Sequence, residues 1–185
     1  MDIALQIFYK VSGYLQSPEF LQALFNNRFY SILLVVFLMR LKYATYDSMW
    51  VSALVNIPGT FLHELMHFLV GGFLNARPCN FSLLPKKNAE GDYVMGSVGF
   101  RNIAFYNAVP AAMAPLLLLP IGFYLNRYYL PQMQPTLLNY VMYVLLQTII
   151  VENAIPSRTD FRVAGKYFSG IVLYIVIFSS LLLMI

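Results

Sequence analysis

Residues 49–74 read MWVSALVNIPGTFLHELMHFLVGGFL, and the rest of the chain is best understood outward from them. The stretch is long enough to cross a bilayer with some tilt, since about 20 mostly apolar residues suffice. Its one charged side chain is Glu64, which lies between His63 and His67, the only two histidines in the chain. On a helix, positions i and i+4 share a face, so both imidazoles can reach one metal ion. The plain structural alternative is a pair of core histidines satisfied by hydrogen bonds within a helix bundle. Ionisable groups inside an apolar span are costly to place, however, and such residues mark functional sites.

Composition agrees with a lipid surround. Of 185 residues, 11% are charged and 16% aromatic, against roughly 25% charged in an ordinary soluble domain. The mean hydropathy is +0.65. So few charges can hardly clothe a soluble globule. Cys79 is the only cysteine, which excludes a disulfide scaffold. The net charge of +4 is read as a topology signal of cytoplasmic loops, and no motif points to a nucleic-acid partner.

Five apolar stretches are expected to be transmembrane helices: 29–41 (extending to 46), 49–74, 103–125, 136–152 and 168–185. The third carries Pro110, Pro115 and Pro120, so kinks are expected there. Residues 1–28 are too polar to span and lack the marks of a secretory signal. Ile3, Ile7, Leu21, Leu24 and Phe25 recur at helical spacing, which predicts an amphipathic interfacial helix. Lys10, Arg28, Arg77, Lys86, Lys87, Arg101, Arg158, Arg162 and Lys166 fall on one side of this layout, and only Arg40, Lys42 and Arg127 on the other. The bias places the N-terminus and the loops after the second and fourth spans in the cytoplasm. The loop 75–102 reads as a hairpin, with strands at 79–84 and 93–100 around a polar turn. The whole, 1–185, is expected to be a single membrane-embedded domain: an all-α polytopic protein with a short membrane-associated β-hairpin.

The spacing His63-Glu64-Leu65-Met66-His67 is suited to metal-assisted hydrolysis. Zinc accepts neutral imidazole nitrogens and keeps an open position in catalytic sites. Glu64 is placed to take a proton from an activated water. Catalytic zinc usually has three protein ligands, and no third histidine exists. Asp47 falls on the outer side, Asp92 in a solvated turn, and Cys79 beyond the helix in the hairpin. Glu152 and Asp160, near the cytoplasmic end of the fourth span, remain as candidates for the third ligand.

Asn153-Ala154-Ile155-Pro156-Ser157-Arg158-Thr159-Asp160 resembles the Asn-x-x-Pro…Asp segment of the site-2 protease family of intramembrane zinc metalloproteases. Gly71, four residues after the second histidine, the strand-like hairpin, and Ala112-Met113-Ala114-Pro115, which is similar to the family's Ala-Gly-Pro turn, extend the resemblance over roughly residues 50–165. It implies a three-helix catalytic core, here 49–165, with His63, His67 and Asp160 as zinc ligands and Glu64 as general base. It also implies that Asn153 contacts substrate or orients the site. Glu152 stays the fallback ligand.

The function expected from these residues is zinc-dependent endopeptidase activity on transmembrane or membrane-proximal peptide. The location would be a plasma or inner membrane, with the site toward the cytoplasm. The strand at Tyr93, Val94 and onward would bind extended substrate by adding it to the sheet edge. Two other classes keep the same histidines: a proteolytically inert relative that binds membrane partners, and a metal-handling transporter. The intact Glu64 speaks against the inert relative.

Overall fold

The computed structural model describes residues 3–44, 49–87 and 93–184, with the side chains of 44, 49–51, 93 and 94 also outside the description. Asp47 and Asp92, weighed above as ligands, lie outside it. The chain is mostly helical with a small antiparallel sheet component. In order, the elements are α1 (Ile3–Leu15), α2 (Pro18–Asn26), α3 (Arg28–Ala44), α4 (Met49–Phe73), β1 (Pro78–Ser82), β2 (Lys86–Lys87), β3 (Tyr93–Val94), β4 (Ser97–Phe100), α5 (Ala108–Ala112), α6 (Leu118–Tyr124), α7 (Leu137–Asn153), α8 (Arg158–Lys166) and α9 (Phe168–Leu183).

These elements form two compact units. One comprises Met1–Tyr46 and Pro120–Ile149, the other Asp47–Leu119 and Ile150–Ile185. In the first, the expected single N-terminal helix is broken. Ser17 caps α2 by accepting from the Phe20 amide, and Pro18 occupies the first helical position, where its missing N–H costs nothing. A further turn of 81° separates α2 from α3. Inside this unit Phe25 packs on Tyr140, and the Asn126 side chain donates to Ser31 Oγ and Tyr143 OH, each at 2.9 Å.

The second unit is built on α4. Its C-terminus closes with Asn75 in the left-handed region (φ 58°), where the Asn75 amide bonds the Gly72 carbonyl and the Ala76 amide bonds the Gly71 carbonyl. That pair of bonds is the Schellman arrangement, and it turns the chain sharply into β1. β1 pairs antiparallel with β4, with Cys79 opposite Gly99 and Ser82 opposite Ser97, across an irregularity that contains Asn80 at φ 53°. Gly71 leaves room on α4 for the Phe100 ring, which fixes the ladder against the helix.

The expected hairpin differs in one respect. The strand 93–100 is interrupted at Met95–Gly96, so β2 and β3 form a separate two-residue ladder, Lys86 with Val94 and Lys87 with Tyr93. The proline-rich third stretch breaks rather than kinks. It becomes the short helix α5, a 3₁₀ turn at Ala114–Leu117, and α6, with one proline in each piece: Pro110, Pro115 and Pro120. Asn107, fully buried, holds the entry to α5. Its Oδ1 accepts from the Ala104 amide, and its Nδ2 donates to the Leu74 and Asn102 carbonyls.

Among the described residues, one helical run, Leu137–Lys166, is long and apolar enough to cross a membrane, or two if the bent pair α2–α3 counts as one span. The five expected spans therefore do not all meet that test. Asn56, His63, Glu64 and His67 lower the apolarity of α4, the prolines shorten the third stretch, and α9 has 16 residues.

Candidate metal centre

The donors come from one face of α4 and from the start of α8. His63 Nδ1 lies 2.8 Å from the Asn153 carbonyl, and His67 Nδ1 lies 2.8 Å from the Ala111 carbonyl. A carbonyl can only accept, so each Nδ1 must carry the proton. Each Nε2 of a neutral ring is then a bare lone pair. The two Nε2 atoms face each other at 3.2 Å. The Asp160 carboxylate completes the group, with Oδ1 3.3 Å from His67 Nε2 and Oδ2 3.5 Å from His63 Nε2.

Three acceptors converging on one point need something positive between them, either a proton on one ring or a cation. The separations suit a cation. Ligands at about 2.0–2.1 Å in a tetrahedron stand about 3.3 Å apart. With a single carboxylate oxygen taken, all three donor atoms still lie within 4.8 Å of one another. The residues present thus fit a small divalent ion. The two backbone carbonyls supply the orienting partners that ligating histidines require.

Asp160 reaches this place through a local device. Ser157 caps α8, its Oγ accepting from the Asp160 amide at 3.2 Å, while the Ser157 amide donates to Asp160 Oδ2 at 2.6 Å. This capping box fixes the carboxylate at the third helical position. The sequence carried the signal as Ser157-x-x-Asp160, yet the serine's part was not among the expectations above.

Glu64, 6% exposed, follows His63 on α4 and turns to the same cavity, a hollow of about 610 Å³ that also includes Thr60, Ser97, Val98, Glu152, Asn153, Arg158 and Arg162. Glu152 lines the cavity but stands outside the three-residue donor group, which contains Asp160. Gly96 matters here, since a Cβ on it would stand 2.7 Å from Glu64 Oε1 and 2.5 Å from Thr60 Cγ2. The break between β3 and β4 therefore brings bare backbone against the carboxylate.

Asn153 serves the site in two ways. Its carbonyl orients His63, and its side chain covers Gly59, one turn earlier on α4. Tyr93 and Val94, expected to bind substrate, pair with Lys87 and Lys86, while the strand wall of the cavity includes Ser97, Val98 and Phe100 of β4. Cys79 sits on β1 opposite Gly99, as a free thiol outside the donor group.

Compared with protein-family models, curated proteins and solved structures, the chain shows no match. The chemistry of the site rests on its own geometry.

Proposed function

We propose that the chain is a zinc-dependent endopeptidase of a membrane, hydrolysing peptide bonds in transmembrane or membrane-proximal segments. The observation that carries this reading is the convergence of His63 Nε2, His67 Nε2 and the Asp160 carboxylate with Glu64 at the wall of the same cavity. Two imidazoles and one carboxylate are a donor set of catalytic zinc, with one position left open. Bound there, zinc would supply Lewis-acid polarisation of the scissile carbonyl and a nucleophilic water at neutral pH.

The remaining work falls to the chain's own groups. Glu64 takes a proton from the attacking water and returns it to the leaving amine. The Asn153 and Ala111 carbonyls hold the two rings in one tautomer throughout. One edge of β4 is occupied by β1, and its other edge offers backbone donors and acceptors to an extended peptide. Within the strand 93–100, the part that would take substrate is Ser97–Phe100, which borders the cavity, with Gly96 beside Glu64. Strand addition suits such an enzyme because a helical substrate backbone is hydrogen-bonded internally and must unwind to be cut.

A membrane setting is supported by the helices themselves. α9 is apolar on every side, with Gly170 its only buried residue and Phe168, Phe178 and Leu183 well exposed. In water such a helix would have to be buried, whereas lipid accepts it as it stands. The positive-charge bias puts the site toward the cytoplasm.

The test is Glu64→Gln in detergent-purified protein, against a panel of synthetic transmembrane peptides read by mass spectrometry. Wild type should release fragments, and the variant should keep zinc while releasing none. Equal release by both would refute the reading.

A further inference from the structure

We propose that the backbone amide of Ser157 is a positioning group of the metal centre: it pins Asp160 Oδ2 and thereby turns Oδ1 toward His67. The inference rests on the zinc reading above and adds to it a group that the metal motif does not contain.

The argument begins with reach. A capping box ordinarily places Glu or Gln at the third helical position. Aspartate is one methylene shorter, so its carboxylate can close the box only by lying close over the helix start, as the 2.6 Å contact from the Ser157 amide to Oδ2 shows. With Oδ2 so held, the plane of the carboxylate is set, and Oδ1 stands 3.3 Å from His67 Nε2. An Asp side chain free to rotate would meet the two histidines in one orientation among several, and binding an ion would have to select it. The amide removes that choice in advance. Groups that orient ligands in this way typically change metal affinity about 10–100-fold when lost.

The hydroxyl and the amide of Ser157 have different tasks. Oγ caps the helix by accepting from the Asp160 amide, whereas only the amide touches the carboxylate. They can be separated because Ser157 has φ −72° and ψ 166°, a conformation that proline adopts. Ser157→Ala removes the hydroxyl and keeps the N–H. Ser157→Pro removes both.

The experiment is zinc affinity of the detergent-solubilised full chain, by competition with a chromophoric chelator, alongside the Tm of the metal-free protein. Ser157→Ala should lower Tm and leave affinity near wild type. Ser157→Pro should weaken zinc binding about 10–100-fold, and Ser157→Thr should match wild type in both measurements. A purely structural serine would lower Tm in Ala and Pro alike with affinity unchanged, which overturns the inference. Equal loss of affinity in Ala and Pro would assign the effect to the hydroxyl and overturn it too. A wild type that binds no zinc removes the zinc reading and the inference together. Should Ser157→Pro fail to fold, the wild-type Ser157 amide, followed by ¹⁵N NMR, decides: protection from exchange and a shift on adding zinc support the inference, and a freely exchanging, unshifted amide overturns it.

Discussion

The Asn153 carbonyl accepts the Nδ1 proton of His63 at 2.8 Å, joining the end of α7 to the middle of α4 across 90 residues of sequence. That bond fixes which nitrogen of His63 faces His67 and Asp160. The Asn153 side chain meanwhile covers Gly59, one turn before His63, so residue 59 must be small for the carbonyl to arrive where it does.

Gly59→Ala should therefore disturb the site through Asn153. Overpacking of this kind costs about 1–3 kcal/mol, and weaker zinc retention should accompany it. The double variant Gly59→Ala/Asn153→Ala relieves the clash, so its cost should be smaller than the sum of the two single costs. Thermal unfolding of the four proteins checks this; strict additivity would deny the contact.

Gly96→Ala places a methyl group against Glu64 Oε1 and Thr60 Cγ2. Peptide cleavage should fall at least about tenfold, with zinc content unchanged, because the nearest neighbours of the added methyl are the base and Thr60. Adding Thr60→Ser, which deletes Cγ2, should restore part of the loss. Metal analysis and cleavage rate on the same preparations separate these outcomes.

Asn107→Ala would leave the Ala104 amide and the Leu74 and Asn102 carbonyls short of a partner at a buried position. Stability should fall by at least ~2 kcal/mol, seen as a Tm lower by several degrees. A neutral result would mean that water replaces the side chain.

Glu64→Gln keeps the size of the side chain and removes its ability to take a proton. Cleavage should drop about 10²–10⁴-fold, the usual worth of a general base. Zinc content should stay at the wild-type level, since Glu64 stands outside the donor group.

What could be read from the sequence was what depends on local spacing. The i, i+4 histidines on a long apolar helix gave α4 and two donors, and the apolar run 136–152 matches α7 at Leu137–Asn153. The choice between Glu152 and Asp160 could not be made from the residues alone. Both lie near the end of α7, and only the start of a new helix at Arg158, three-dimensional in its effect, swings Asp160 to the histidines. The split of strand 93–100 was hidden for a similar reason. It occurs where Gly96 meets Glu64 and Thr60, and no strand propensity encodes that contact. The N-terminal break was legible in Ser17-Pro18-Glu19, a helix-start signature, but the apolar periodicity on either side ran through it. In the third stretch, Pro110, Pro115 and Pro120 each lack the N–H that a continuous helix needs, and the run divides into α5, the 3₁₀ turn and α6.

Whether His63, His67 and Asp160 hold one zinc ion is decided by the metal content of the purified protein. Protein purified in detergent without chelator should carry about one zinc per chain. His67→Ala and Asp160→Ala should lose the zinc, while Glu152→Ala keeps it. Absence of bound metal from the wild type, or zinc surviving in Asp160→Ala but lost in Glu152→Ala, would contradict the account.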